Sequence, residues 1–167
     1  MWQLLSLFAA VALGISWMSS DAGGAGATQA ATVQALYSTL KSQTETIRAR
    51  VAQCVIENPS GNNGTGFKPE YPGAPVPVAL GGISCPGAPP AASQVWSGSD
   101  GIFTPQPPGA FAAPYAYVND ALGVRVMLVA AFAGDKAAAA AAERLVSRYG
   151  PGQAGWSSST LTVWLSR

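Results

Sequence analysis

The first eighteen residues, Met1 to Met18, carry no charge, and Asp21 is the first charged side chain in the sequence. An apolar run of this kind has to be buried in lipid or among protein, because exposing it to water costs free energy in proportion to its area. As a helix rising about 1.5 Å per residue it would be on the order of 27 Å long, close to the hydrocarbon thickness of a bilayer. Its apolar side chains are Met1, Trp2, Leu4, Leu5, Leu7, Phe8, Val11, Leu13, Ile15 and Trp17, with Gly14 among them. A secretory signal would show a basic start, a shorter apolar run and a small-residue cleavage site. The basic start is missing here, although Ser20-Asp21-Ala22 and Gly24-Ala25-Gly26-Ala27 would pass as cleavage contexts. Two readings stay open: Met1 is an initiator at the head of an uncleaved anchor, or it is the first residue of a processed chain whose basic leader has gone.

Behind that segment the 167-residue chain has room for one modest domain of roughly 140 residues, long enough for a single core. Net charge is +1 with 10% charged residues, so there is no basic face for nucleic acid and no acidic tail. So weakly charged a surface suits a chain packed against copies of itself or other subunits. Histidine is absent, which removes the commonest general base, the commonest metal ligand and any Ser-His-Asp arrangement. No Gly-rich phosphate loop has a strand in front of it, and the carboxylates are scattered, with Asp100 and Asp120 placed in turns where capping is their expected role. The sequence therefore predicts no enzyme, no cofactor and no metal site. Trp96, Phe103, Phe111, Tyr115, Tyr117, Trp156 and Trp164 are expected in the core of a small sheet, with a ligand groove as the alternative.

The two cysteines, Cys54 and Cys85, are an even count in a chain directed to or across a membrane, and a disulfide is the natural reading. Two unrelated buried thiols are the alternative. A bridge would close a loop of about thirty residues, worth roughly 3 to 4 kcal/mol on the chain-entropy account.

Four regions follow from the pattern. Residues 1–20 form the apolar helix, and 21–27 a hinge in which Gly23, Gly24 and Gly26 lower helix stability. Residues 28–58 form an amphipathic helix whose stripe Val33, Leu36, Leu40, Ile47 and Val51, ending at Cys54 or Val55, packs onto the head. Gln34, Ser38, Lys41, Ser42, Glu45 and Arg48 make its polar face, with Lys41 and Glu45 one turn apart. Residues 59–167 form the head: a Pro- and Gly-rich loop over 59–92 without stable period, then sheet and helix over 93–167. In the head, Ser93–Ser97 and Ile102–Thr104 read as a hairpin about Gly98-Ser99-Asp100-Gly101, Tyr115–Val118 and Val124–Ala131 as strands, Asp135–Tyr149 as a helix, and Thr160–Leu165 as a terminal strand. Asn63-Gly64-Thr65 matches a glycosylation sequon, a three-residue pattern that is common by chance. The fold class is α+β, a long N-terminal helix laid on a small antiparallel sheet with one additional helix.

This order of an apolar start, a continuous amphipathic helix, a long loop, a sheet and a disulfide resembles the type IV pilin superfamily. The resemblance is of layout over the whole chain, with similar stretches at Ile47–Cys54 followed by Pro59–Asn63 and at Val95–Phe103. It implies a leader removed by a prepilin peptidase, which Met1 as first residue would fit. It also implies a helix that holds the subunit in the inner membrane and then packs in the core of a filament, built from copies of itself or other pilins by an assembly machinery. Gly14 and Gly23-Gly24-Ala25-Gly26 match in character the part of the helix that melts in assembled pili. One departure stands out: Leu5 occupies the place where major pilins usually carry a glutamate. Docking would then rest on apolar packing and on Ala9, Ala10, Ala12 and Gly14.

The expectation is thus a structural subunit of a bacterial surface filament, anchored in the inner membrane before assembly. Its alternatives are a single-span accessory subunit of a membrane complex and a membrane-tethered module that binds sugar or peptide.

Overall fold

The computed structural model describes residues 24–98 and 101–167. The apolar run Met1–Met18, the start of the expected hinge, and Ser99 and Asp100 lie outside the described residues. Among the described residues no helix is long and apolar enough to cross a membrane.

Helix α1, Gly24–Glu57, is 34 residues long, about 50 Å at the usual rise. The glycine-rich stretch from Gly24 to Ala27, expected to be a hinge, is helical. Two glycines each cost about 1 kcal/mol relative to alanine, but Ala25, Ala27, Ala30 and Ala31 around them are the best helix formers. The predicted stripe is buried: Val33, Leu40, Ile47, Val51 and Cys54 fully, with Leu36 packed at the margin. Thr44 completes it at the turn between Leu40 and Ile47, and its hydroxyl donates to the Leu40 carbonyl at 2.7 Å. That bond meets the hydroxyl's need inside the helix, so a polar side chain can occupy an apolar seam.

Five strands form one antiparallel sheet in the order β1-β2-β3-β5-β4. They are β1 Ala74–Ala79, β2 Phe111–Asp120, β3 Gly123–Ala130, β4 Ala154–Ser157 and β5 Thr160–Ser166. β3 is central, and Val124, Val126 and Leu128 turn to the core, as alternation predicts. Helix α2, Lys136–Tyr149, begins at Asp135, whose carboxylate accepts from the Ala137 and Ala138 amides, and ends at Gly150 with φ 85°. Its buried face is Ala138, Ala141, Ala142 and Leu145, small enough for the helix to lie against α1 and β4. One core gathers side chains from α1, α2, the sheet and the segment Leu80–Trp96.

Three expectations need correction. The hairpin over Ser93–Thr104 does not form: Gln94 bridges Ser84 instead, Cys85 N donates to the Ser93 carbonyl at 2.6 Å and Val95 N to that of Ile83 at 3.2 Å. Val95 and Trp96 are buried as predicted for strand residues, yet the backbone here pairs with the preceding loop, and residues 102–104 are not a strand. The loop 59–92 contains β1, whose Pro75 and Pro77 disguise it and confine it to the sheet's edge. β4 was missed as well; it joins β5 through Ser158 and Ser159, both at positive φ, a conformation that glycine or asparagine normally announces.

Candidate functional site

Helix α1 changes character along its length. Every residue from Gly26 to Thr32 is exposed, and burial begins at Val33. The side chains named for helix-to-head packing, Val33, Leu36, Leu40, Ile47 and Val51, therefore all belong to the part lying on the head, and the turns before them project from it. The sequence-predicted polymerisation residues Met1, Trp2, Leu4, Leu5, Leu7, Phe8, Val11, Leu13, Gly14, Ile15 and Trp17 lie outside the described residues.

At the other end of α1 the chain is tied back to the helix. Cys54 and Cys85 form a disulfide with Cα atoms 5.6 Å apart. Both the backbone N–H and the side-chain amide of Asn58 donate to the Cys54 carbonyl at 3.1 Å, which meets one of the carbonyls left over at a helix end. Gly61 follows, and a Cβ there would come within 2.2 Å of the Pro86 carbonyl oxygen. Only glycine lets the two ends of the disulfide loop approach so closely.

Asn63 organises the loop beyond. Its amide nitrogen donates to the carbonyls of Phe67, Lys68 and Tyr71 at 3.0, 3.1 and 2.9 Å. Its oxygen accepts from the Thr65 backbone N–H and hydroxyl at 2.8 and 2.7 Å. The nitrogen that a glycan would need is thereby committed to folding. From the sheet, the Asn119 amide donates to the Lys68 and Pro72 carbonyls, and the Tyr117 hydroxyl donates to Pro72 at 3.1 Å.

The loop so fixed meets the C-terminal strand in two adjoining recesses that share Trp164 and Arg167 in their walls. The first, about 500 Å³, adds Arg48, Tyr71, Gln153 and Ser166. The second, about 650 Å³, adds Phe67, Lys68, Asp120 and Leu122. Arg48 was placed on the polar face of α1, but it reaches inward as a brace. It donates to the Trp164 carbonyl at 3.0 Å, and its guanidinium lies 4.5 Å from the centre of the Tyr149 ring. Burial pushes the Tyr149 hydroxyl's pKa up. Arg167 sits 4.1 Å over the Trp164 ring.

Asp120 lies between the recesses and the β2–β3 turn. Arg125 grips its carboxylate with two bonds of 2.6 and 2.8 Å, and the Leu122 amide adds a third at 2.8 Å. These bonds, those from Arg125 foremost, hold the carboxyl below its usual range.

Most of the aromatic set is core. Trp96, Phe111, Tyr115 and Tyr117 are buried, and Phe103 is 73% exposed. Trp156 meets Phe111 edge-on at 6.4 Å. The Tyr115 hydroxyl, its pKa raised by burial, donates to Gln43 at 2.8 Å, so it braces α1 against the sheet. Among the described residues no three acidic, cysteine or histidine side chains converge as metal ligands would. Lys68 and Arg167 went unnoticed in the sequence and Arg48 was read only as polar helix surface, because the three come from distant segments and share no spacing. Compared with known proteins, the chain matches no protein-family model, no curated protein and no solved structure.

Proposed function

We propose that this protein is a structural subunit of a type IV pilus-like surface filament, assembled through its N-terminal helix. The observation that carries the proposal is the exposed stretch of α1: burial against the head begins at Val33, and Gly26–Thr32 before it are exposed. From Met1 to Leu40 the only charged side chain is Asp21. Helices that associate away from water do so through close approach of small residues, and a hydroxyl at such a seam must be hydrogen-bonded to be buried without cost. Both conditions are met: Gly26, Ala27, Ala30 and Ala31 are small, and the Thr32 and Ser38 hydroxyls donate to the Thr28 and Ala35 carbonyls at 2.9 Å. The disulfide and the Asn63 network support the reading from the other side, since a head that stands clear of its own stem needs internal ties.

Electron microscopy of material sheared from the cell surface tests the proposal. The chain is expected in fibres, identified there by peptide mass spectrometry. The double variant Ala27→Lys, Ala31→Lys places two charges on the uncovered stem, and should abolish fibres while leaving the head's melting temperature unchanged. Fibres that persist with those charges would remove the stem from the filament core. Recovery of the chain only in fixed ratio with integral membrane partners would assign it instead as an accessory subunit.

A further inference from the structure

The second recess holds two cations whose donors the fold leaves unused. Neither the Lys68 ammonium nor the Arg167 guanidinium has a carboxylate within salt-bridge distance or a side-chain hydrogen bond among the described residues. Arg167 rests only against the Trp164 ring, at 4.1 Å. The one side-chain carboxylate among the lining residues, Asp120, is taken up by Arg125 and the Leu122 amide, so it pairs with neither Lys68 nor Arg167. In a chain of net charge +1 this is a local excess of positive charge. The same walls carry apolar surface open to solvent, Phe67 at 38% and Leu122 at 69% exposure. At about 650 Å³ the recess has the size of a small-ligand site.

We propose that this recess binds an acidic sugar, a uronate whose carboxylate is held by Arg167 and Lys68 while its ring lies on Phe67 and Leu122. A guanidinium's fork matches a carboxylate in geometry as well as charge, and such charge-assisted bonds are the stronger kind. The aromatic ring offers an apolar face for the C–H side of a pyranose. Other polyanions fit less well. Two cations are few for a phosphate backbone, whose binding rests on many neutralised phosphates. An extended acidic peptide would seek a free sheet edge, and this recess lies at the β2–β3 turn, at the end of the sheet.

The test uses the full chain in micelles of a neutral detergent, titrated with trigalacturonate at low ionic strength, where exposed charges are least screened. Saturable binding is expected. Lys68→Gln and Arg167→Gln should each weaken it about threefold, as for exposed ion pairs, and together about tenfold, with no change in melting temperature. Phe67→Ala should weaken it as well, and the methyl-esterified, uncharged trisaccharide should not bind measurably. Binding that is absent, or unaltered in the double variant, overturns the proposal. So does polyglutamate or a thymidine oligonucleotide binding as tightly with the same sensitivity to both variants.

Discussion

Asn63 shows how much one amide can hold. Its nitrogen serves three carbonyls and its oxygen two donors, and Asn63→Ala would leave those groups without their partner. Buried or half-buried groups so orphaned cost about 1 to 3 kcal/mol, so the variant should melt measurably earlier in a thermal scan, and Asn63→Asp, which keeps only the acceptor, should recover part of the loss. The sequence marked this residue only as part of a turn and a sequon, because the carbonyls it serves are chosen by how the loop folds back. Asp120 offers a pH dependence. Its pKa lies below the ordinary value of 3.8, first because of the hydrogen bonds from Arg125. A lowered carboxyl pKa contributes stability that is complete above the unfolded value and fades as pH falls through the folded one. Melting temperature should therefore drop on acidification below about pH 4, and Arg125→Gln, measured by the same scan, should show a smaller drop.

Elements were legible to different degrees, for physical reasons. α1 announced itself because one apolar period runs from Val33 to Cys54 with a single polar interruption, Thr44, which satisfies its own hydroxyl. β3 and β5 were legible because a half-buried strand must alternate. β1 was not, since its Ala-Pro-Val-Pro-Val-Ala sequence carries two residues that elsewhere exclude a strand. Val95 and Trp96 misled in the opposite sense: they are buried, but the backbone beside them makes only an isolated bridge to the preceding loop and no strand. The disulfide belongs to this scale because it ties one element to another. It closes a loop across 31 positions, for which chain entropy gives about 3 to 4 kcal/mol. The pair Cys54→Ser and Cys85→Ser should lower unfolding free energy by about that amount in denaturant titrations, with the helical and sheet signals of circular dichroism retained below the transition.

At the scale of the molecule, stability should be divided along α1. Gly26–Thr32 contribute nothing to the core, whereas Leu40 and Ile47 are wholly buried. Local opening needs least free energy where few tertiary contacts are lost. Hydrogen exchange of the isolated subunit should thus show amides of Gly26–Thr32 exchanging fast and those of Leu40–Val51 slowly. Protection of the first group on assembly would report burial of the stem among neighbours. The α+β outline of the molecule could be read from the sequence, since it follows from local periodicities. The recess between Phe67, Lys68, Trp164 and Arg167 could not, since only the packing of the disulfide-tied loop against β5 brings those residues together.

The two prolines of β1 carry a further consequence. A sheet can grow from one molecule into the next only where an outer strand offers its backbone N–H groups. Pro75 and Pro77 remove two such donors from one border, and at the opposite border β4 is only four residues long. Intermolecular strand addition, a route by which β-rich domains form amyloid-like aggregates, is obstructed on both flanks, so crowded neighbours can sit side by side without their sheets fusing.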